Sequence, residues 1–117
     1  MKIIKGSCHC GKVEFEIQLK NGFGDVRRCN CSICKRKGAI MGSVPMEYLT
    51  ITKGKENLSL YQWNTQVAEH YFCKTCGIYT HHKRRSVPTE YGFNVGCIDG
   101  VDPSQFTNVR EANGAAQ

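Results

Sequence analysis

Three cysteines fall close together in the run CNCSIC, residues 29–34, with the spacing C-x-C-x₂-C. Thiols this close in the chain are poorly placed to bridge one another, because a disulfide requires a particular Cα separation and dihedral angle. They are well placed to bind one metal ion. Three protein ligands on a tetrahedral zinc leave its fourth position open, which distinguishes a catalytic zinc site from a structural one. The spacing therefore predicts a zinc site held by Cys29, Cys31 and Cys34, with one open position.

Four further cysteines form two pairs that are far apart in the chain. Cys8 and Cys10 have the spacing C-x-C, Cys73 and Cys76 have the spacing C-x₂-C, and a glycine follows each pair. Four thiolates complete the tetrahedral coordination of zinc, as in structural sites. We therefore expect these four cysteines to hold a structural zinc that joins distant segments. Cys97 is left over and is interpreted as a small buried apolar residue, although Cys97 or a histidine could also close the open position of the triplet.

The length and composition indicate one small intracellular domain. A chain of 117 residues predicts a single domain over residues 1–117. Its first residues lack the apolar run of a signal peptide, and no stretch is apolar enough to cross a membrane, so a cytoplasmic protein is expected. Thiols stay reduced in the cytoplasm, and eight cysteines there favour metal binding over disulfides.

The positive charge of the chain is smaller than it first looks. The formal net charge is +6, but seven metal-bound thiolates and two Zn²⁺ ions would bring it to about +3. The basic runs, Lys35-Arg36-Lys37 and Lys83-Arg84-Arg85, are short. A modest positive excess suits a small anionic ligand, and a nucleic-acid partner is not expected. The first of these runs follows the triplet directly and is the candidate site for an anionic substrate.

Alternating apolar and polar residues from Lys12 to Leu19 predict a half-buried strand. Further strands are predicted at residues 39–44, 49–52, 58–61, 67–72, 78–82 and 91–98. Residues 53–57 are interpreted as a hairpin turn, Asn21-Gly22 as part of another turn, and the tail from Asn108 as mobile. One helical turn is expected after Cys34, ended by Gly38. The predicted fold class is all-β, with antiparallel strands folded over two metal sites.

Three motifs of the chain resemble those of one enzyme family. The runs GSCHCG at residues 6–11, CNCSIC at 29–34 and FCKTCG at 72–77 are similar in order and spacing to the motifs of the glutathione-dependent formaldehyde-activating enzymes and centromere protein V. The resemblance covers nearly the whole chain and implies a β-tent fold with two zinc ions. It also implies that the four-cysteine set is structural and that the three-cysteine set is catalytic, in agreement with the ligand count above.

The chemistry and the resemblance together suggest a carbon–sulfur lyase or its reverse. A small glutathione-like thiol would bind at the open position of the second zinc as a thiolate and attack a formaldehyde-like aldehyde. The alternative is a non-catalytic, zinc-stabilised binding or adaptor module of the centromere protein V type. The sequence does not assign the catalytic acid or base, the identity of the thiol and aldehyde, or the oligomeric state.

Overall fold

A computed structural model describes residues 1–20 and 22–116, and these form ten strands and one short helix. In chain order the elements are β1 (Lys2–Ser7), β2 (Glu14–Leu19), β3 (Arg27–Cys29), α1 (Cys34–Lys37), β4 (Met41–Pro45), β5 (Leu49–Lys53), β6 (Leu58–Tyr61), β7 (Glu69–Cys73), β8 (Tyr79–Lys83), β9 (Glu90–Asn94) and β10 (Arg110–Ala112). Short 3₁₀ turns connect several of them. The prediction of an all-β fold is confirmed.

The strands form two sheets. The smaller sheet has the order β1-β2-β5, and the larger sheet has the order β10-β3-β4-β9-β8-β7-β6. All paired strands are antiparallel except β10 and β3, which run parallel. The larger sheet positions cysteines of both predicted metal sites, because β3 ends at Cys29 of the triplet and β7 ends at Cys73 of the second pair.

Strand β2 shows how the sequence pattern builds the core. Phe15, Ile17 and Leu19 are buried, while Glu14 and Gln18 between and beside them are exposed. Successive side chains of a strand point to opposite faces, so this alternation places one apolar face against the second sheet. The main core forms there from apolar residues of both sheets and of the segments next to β4 and β9: Phe15, Ile17, Leu19, Ile40, Val44, Leu49, Phe93, Val95, Cys97 and Ile98.

The one helix confirms the predicted single turn after Cys34. Helix α1 spans four residues, and Gly38 caps it in the left-handed conformation with φ 66°. The Gly38 amide donates to the Cys34 carbonyl at 3.0 Å, which closes the last turn. Among the described residues, none of the helices has the length and apolar character needed to cross a bilayer.

The structure corrects the predicted hairpin at residues 53–57. The strands on either side exist as β5 and β6, but β5 pairs with β2 in the smaller sheet and β6 pairs with β7 in the larger one. Gly54 is left-handed, with φ 78°, and a 3₁₀ turn at Lys55–Asn57 follows. The segment therefore crosses between sheets. Turn-forming residues mark a change of direction, and the pairing of the flanking strands is decided by the rest of the fold.

Other differences concern the chain ends and strand limits. The tail predicted to be mobile contains β10, which pairs with β3. Strands β1, β3 and β10 were not expected from the sequence, and the strand predicted at 91–98 is β9 followed by a 3₁₀ turn at Val95–Cys97. The predicted turn at Asn21-Gly22 includes Asn21, which lies outside the described residues, as does Gln117 at the end of the tail.

Candidate functional site

The two cysteine pairs predicted to share a metal do converge. Cys8 and Cys10 follow β1, Cys73 ends β7 and Cys76 precedes β8. Their four Sγ atoms lie within 4.8 Å of one another, and we call them the four-cysteine cluster. The Sγ atoms of Cys8 and Cys10 are 3.6 Å apart, and those of Cys10 and Cys73 are 3.7 Å apart. A Zn–S length of about 2.3 Å gives a tetrahedral edge of ~3.8 Å, so these thiols fit a zinc ion.

The two cysteine pairs of the four-cysteine cluster share a left-handed glycine and a backbone amide that donates to sulfur. Gly11 and Gly77 have φ values of 80° and 79°, a region that glycine adopts without strain, so each chain turns sharply after its second cysteine. The Val13 amide donates to the Cys8 Sγ at 3.4 Å, and the Thr75 amide donates to the Cys73 Sγ at 3.4 Å. Donors aimed at sulfur stabilise the thiolate that a metal requires.

The three cysteines of residues 29–34 also converge. Cys29 ends β3, Cys31 lies in the following turn and Cys34 begins α1. Their Sγ atoms lie within 4.8 Å of one another, and we call them the three-cysteine cluster. The Cys34 amide donates to the Cys31 Sγ at 3.4 Å. Three thiol donors in this arrangement suit a tetrahedral metal with one further ligand position.

Within the described part of the chain, no histidine and no fourth cysteine joins the three-cysteine cluster. Cys97 lies in the main core, where its thiol donates to the Tyr79 carbonyl at 3.5 Å. Burial raises the pKa of Cys97 to about 12, which favours a neutral thiol. The interpretation of Cys97 as a small buried residue agrees with this position.

The three-cysteine cluster lines a cavity of about 500 Å³. Histidines of the larger sheet, His70 on β7 and His82 on β8, line the same cavity. Trp63 also lines this cavity and is 39% exposed. The two histidines are buried, with exposures of 6% each. A thiol cluster, neutral aromatic groups and a cavity large enough for a small ligand therefore occur together.

Residues 110–116, which we call the C-terminal segment, cover one side of the three-cysteine cluster. The Asn30 amide donates to the Ala112 carbonyl at 3.1 Å, and the Ala115 amide donates to the Asn30 Oδ1 at 2.9 Å. Gly114 lies so close that a Cβ there would be 2.5 Å from the Cys29 Sγ. A glycine is therefore needed at this position for the segment to pack against the thiols.

Four arginines line the cavity, and two of them are used in ion pairs. Arg110 forms a bidentate pair with Asp25, with a shortest distance of 2.6 Å, and Arg84 pairs with Glu90 at 2.6 Å. These contacts hold the pKa of Asp25 below its ordinary value, chiefly through the hydrogen bond from Arg110. The other two arginines are Arg27 and Arg85.

Arg27 and Arg85 have no carboxylate partner among the described residues. Arg27 is 5% exposed and donates to the Ser43 hydroxyl at 2.7 Å. Burial lowers the pKa of Arg27, but a guanidinium stays protonated in proteins. Arg85 donates weakly to the Gly114 carbonyl at 3.5 Å. Both cations remain able to bind an anion.

The three residues of the basic run predicted as the anion site, Lys35-Arg36-Lys37, point in different directions in the structure. Lys35 and Arg36 are exposed, do not line the cavity, and Arg36 donates to the Ser32 carbonyl at 2.7 Å. Lys37 points inward and contacts His70. Because residues of a short helix point in different directions, three neighbouring cations do not share one face. The basic run does not line the cavity, and the sequence analysis did not single out the cavity residues Arg27, Arg85 and His70 as site residues.

The comparisons with known proteins follow this geometry. A family model described as "Glutathione-dependent formaldehyde-activating enzyme" matches residues 3–112. A protein of Halomonas elongata named "Putative glutathione-dependent formaldehyde-activating enzyme" is 34% identical over 83 residues, which are 63% of this chain and 52% of that protein. The chain thus spans about half the length of that curated relative.

A solved structure shows a similar fold. A crystal structure of a Rhodobacter sphaeroides protein, a structural genomics target, is 54% identical to this chain, with a TM-score of 0.89. The match covers 92% of this chain and 99% of the other.

Proposed function

Since the chain belongs to the family of glutathione-dependent formaldehyde-activating enzymes, we propose that it is a zinc enzyme of the carbon–sulfur lyase type. It would join a small glutathione-like thiol to a formaldehyde-like aldehyde, or cleave their adduct, at the three-cysteine cluster. The observation that carries this proposal is the cavity, which is lined by three thiols that could hold a metal ion and by two arginines without a carboxylate partner among the described residues. The free state of all eight cysteines also fits a reducing cytoplasmic setting.

The two cysteine clusters would hold two zinc ions with different roles. The four-cysteine cluster offers a full tetrahedral set, and the three-cysteine cluster offers three donors beside a cavity. When bound at the three-cysteine cluster, zinc would supply Lewis acidity that favours the thiolate form of a substrate thiol.

Positioning by the protein should contribute more than ionisation of the thiol. A thiol with a pKa of about 8.5 is roughly 3% ionised at pH 7, so complete ionisation is worth at most ~2 kcal/mol. Holding two reactants in the correct geometry can be worth ~7–11 kcal/mol. The residues that line the cavity are therefore the main contributors, because they hold the thiol and aldehyde next to each other and limit access by water.

Arg27 and Arg85 are the groups that would hold an anionic thiol. Glutathione has two carboxylates, and a guanidinium binds a carboxylate through two parallel hydrogen bonds. Arg27 is buried and Arg85 is half-buried. The two arginines could therefore each bind one of the two carboxylates of glutathione, or one of them could bind a thiol that has a single carboxylate. The exposed Arg36, which lies outside the cavity, has no such role.

The first test is metal content followed by thiol binding. Protein purified without chelator should contain close to two zinc ions per chain. With Co²⁺ at the three-cysteine cluster, glutathione should strengthen the sulfur-to-metal charge-transfer absorption. Arg85→Ala should weaken glutathione binding about tenfold, which corresponds to ~1.4 kcal/mol, while the matched control Arg36→Ala should change it less than twofold.

Turnover decides between the enzyme and the binding module. Nuclear magnetic resonance exchange spectroscopy of glutathione and formaldehyde should show faster exchange of the adduct when the protein is present. Binding of glutathione without faster exchange would favour the zinc-stabilised binding module. The absence of any spectral change with millimolar glutathione would reject glutathione as the thiol, and a response to another thiol would change only the substrate.

A further inference from the structure

A half-buried lysine, Lys37, contacts a cavity histidine in the structure. The Lys37 Nζ lies 2.8 Å from the His70 Nδ1 and 3.7 Å from the centre of the Tyr79 ring. An ammonium group has hydrogen-bond donors only, so the His70 Nδ1 must accept in this contact. The proton of a neutral imidazole then resides on Nε2. The contact therefore fixes one tautomer of His70.

The ring of His70 is held by its neighbours. It stacks on the ring of His82, with 5.4 Å between centroids and an interplanar angle of 17°. The His82 Nδ1 is in turn 2.6 Å from the Tyr79 hydroxyl. Burial raises the pKa of Tyr79 well above its ordinary value, so its hydroxyl keeps its proton and donates to His82. A ring fixed on both sides can present its Nε2–H in a constant direction.

The Nε2 atoms of the two cavity histidines, His70 and His82, have different surroundings. A Cβ on Gly92 would lie 2.9 Å from the His82 Nε2, so that nitrogen packs against the backbone of β9. His70 lines the same cavity as the three-cysteine cluster, and its Nδ1 is the nitrogen occupied by Lys37. Its Nε2–H is therefore the donor available to a ligand.

We propose that His70 is a catalytic residue of the thiol–aldehyde reaction, a neutral imidazole whose Nε2–H donates to the carbonyl oxygen of the aldehyde and whose tautomer is fixed by Lys37. The proposal rests on the proposed function. A neutral imidazole polarises a carbonyl without carrying a charge into a buried site. Burial, and then the charge of Lys37, lower the pKa of His70 to about 4, in agreement with a neutral ring.

The step balances in protons and electrons. The thiolate sulfur forms a bond to the carbonyl carbon, the carbonyl π bond breaks, and its electron pair moves to oxygen. The oxygen takes the Nε2 proton of His70, while the Nδ1 takes a proton from the Lys37 ammonium. Water then delivers to the His70 Nε2 the proton that the thiol lost on binding, and the Nδ1 returns its proton to Lys37, which restores the Nε2–H tautomer and the ammonium. Cleavage of the adduct follows the same path in reverse. Burial lowers the pKa of Lys37 to about 8, so that its proton can be transferred.

Four variants of the full chain, purified without chelator, test this role. His70→Phe keeps a ring to stack on His82 and removes the donor, while His70→Gln keeps an N–H donor. Lys37→Met keeps an apolar stem over the Tyr79 ring and removes the contact to the His70 Nδ1. Lys35→Met is the matched control, because Lys35 is exposed on the same helix and does not line the cavity.

The catalytic readout is the rate of exchange between glutathione, formaldehyde and their adduct. His70→Phe should lower the protein-dependent rate about 10²-fold, the effect of losing one donor to a developing oxyanion. His70→Gln should recover part of this loss, and Lys37→Met should lower the rate roughly tenfold. Lys35→Met should stay within twofold of the unmodified protein. Glutathione affinity, followed by the fluorescence of the single tryptophan, Trp63, should be unchanged in all four.

A second readout does not depend on activity. Imidazole ¹⁵N–¹H correlation spectra of the unmodified protein at pH 7 should show His70 as the neutral Nε2–H tautomer. In Lys37→Met the same ring should populate both tautomers. A charged ring, an Nδ1–H tautomer or a metal-bound Nε2 in the unmodified protein would overturn the assignment.

The outcomes separate this inference from the proposed function. Full activity in His70→Phe would reject the role of His70 and leave the enzyme proposal standing. An unmodified protein that binds glutathione but does not accelerate exchange would reject both the enzyme proposal and the catalytic role, whatever the tautomer. Loss of glutathione affinity in His70→Phe, with the remaining rate unchanged, would make His70 a binding residue and overturn the proposed step.

Discussion

The four-cysteine and three-cysteine clusters use the same thiol donors in different surroundings. Cys8 and Cys10 follow a strand of the smaller sheet, whereas Cys73 and Cys76 belong to the larger sheet, so a metal there would tie the two sheets together. The three-cysteine cluster uses one short stretch of chain and borders a cavity. A thiol set that joins distant segments is expected to support folding, and a local set beside a cavity is free to act on a ligand.

The largest difference should follow from removing one ligand of each cluster. Cys73 is fully buried, and zinc binding at such a site is worth ~10–16 kcal/mol, comparable with the ~5–15 kcal/mol stability of a whole domain. Cys73→Ser should therefore leave an unfolded or aggregated protein. Cys31→Ser should remain folded, with one zinc ion fewer and no activity.

Circular dichroism, amide NMR spectra and zinc analysis measure both results of this first prediction. Equal loss of folded structure in the two variants would mean that the three-cysteine cluster is also structural. Four disulfides in the unmodified protein, found by mass spectrometry together with an absence of zinc, would contradict the metal-binding interpretation of both clusters.

A smaller effect is expected from the C-terminal segment, which packs against the three-cysteine cluster alone. In Gly114→Val, the added side chain would begin 2.5 Å from the Cys29 Sγ and 3.0 Å from the Cys31 Cβ. Overpacking of this kind costs ~1–3 kcal/mol, so zinc affinity at the three-cysteine cluster should fall roughly five- to 150-fold. The four-cysteine cluster should keep its metal.

Competition with a chromogenic chelator measures the two zinc affinities in Gly114→Val. Ala116→Val is the control, because Ala116 is exposed and does not line the cavity. Equal weakening of both sites would show that the C-terminal segment acts on the whole fold. No change in either affinity would show that the segment moves aside without cost.

The smallest effect should come from the exposed Asp25–Arg110 pair, which links the C-terminal segment to the chain before β3. The two side chains are 62% and 52% exposed, so water screens their interaction. The pKa of Asp25 in the folded protein is lowered from its ordinary value of 3.8. The ion pair therefore stabilises the fold fully when the pH is above the pKa of Asp25 in the unfolded chain. This stabilisation is lost as the pH falls through the pKa of Asp25 in the folded protein. Asp25→Asn should lower Tm slightly and by the same amount at pH 7 and pH 5.

Thermal melts of Asp25→Asn and the unmodified protein at these two pH values measure this prediction. A difference in Tm that already shrinks between pH 7 and pH 5 would show that the folded pKa of Asp25 is not lowered. A decrease in Tm as large as that of a lost metal site would show that the C-terminal segment supports the entire domain.

Features that depend on neighbouring residues were predictable from the sequence. The alternation in β2, the helical turn that ends at Gly38, and the glycine after each cysteine pair each involve residues within a few positions of one another. Metal-ligand spacing is of the same kind, because three thiols within six residues must lie close together in any fold. These local constraints identified the all-β class, the three-cysteine cluster and the two separate pairs of the four-cysteine cluster.

Features that depend on distant pairing required the tertiary structure. Residues 53–57 look like a hairpin, but β5 and β6 join different sheets, and the tail expected to be mobile pairs with β3.

The cavity cations are a second case. Lys35, Arg36 and Lys37 are adjacent in sequence, yet Lys37 alone points inward to His70, and the available arginines come from β3 and from the loop after β8. Sequence spacing limits which atoms can meet locally, whereas strand pairing and burial across the whole chain decide which side chains surround the three-cysteine cluster.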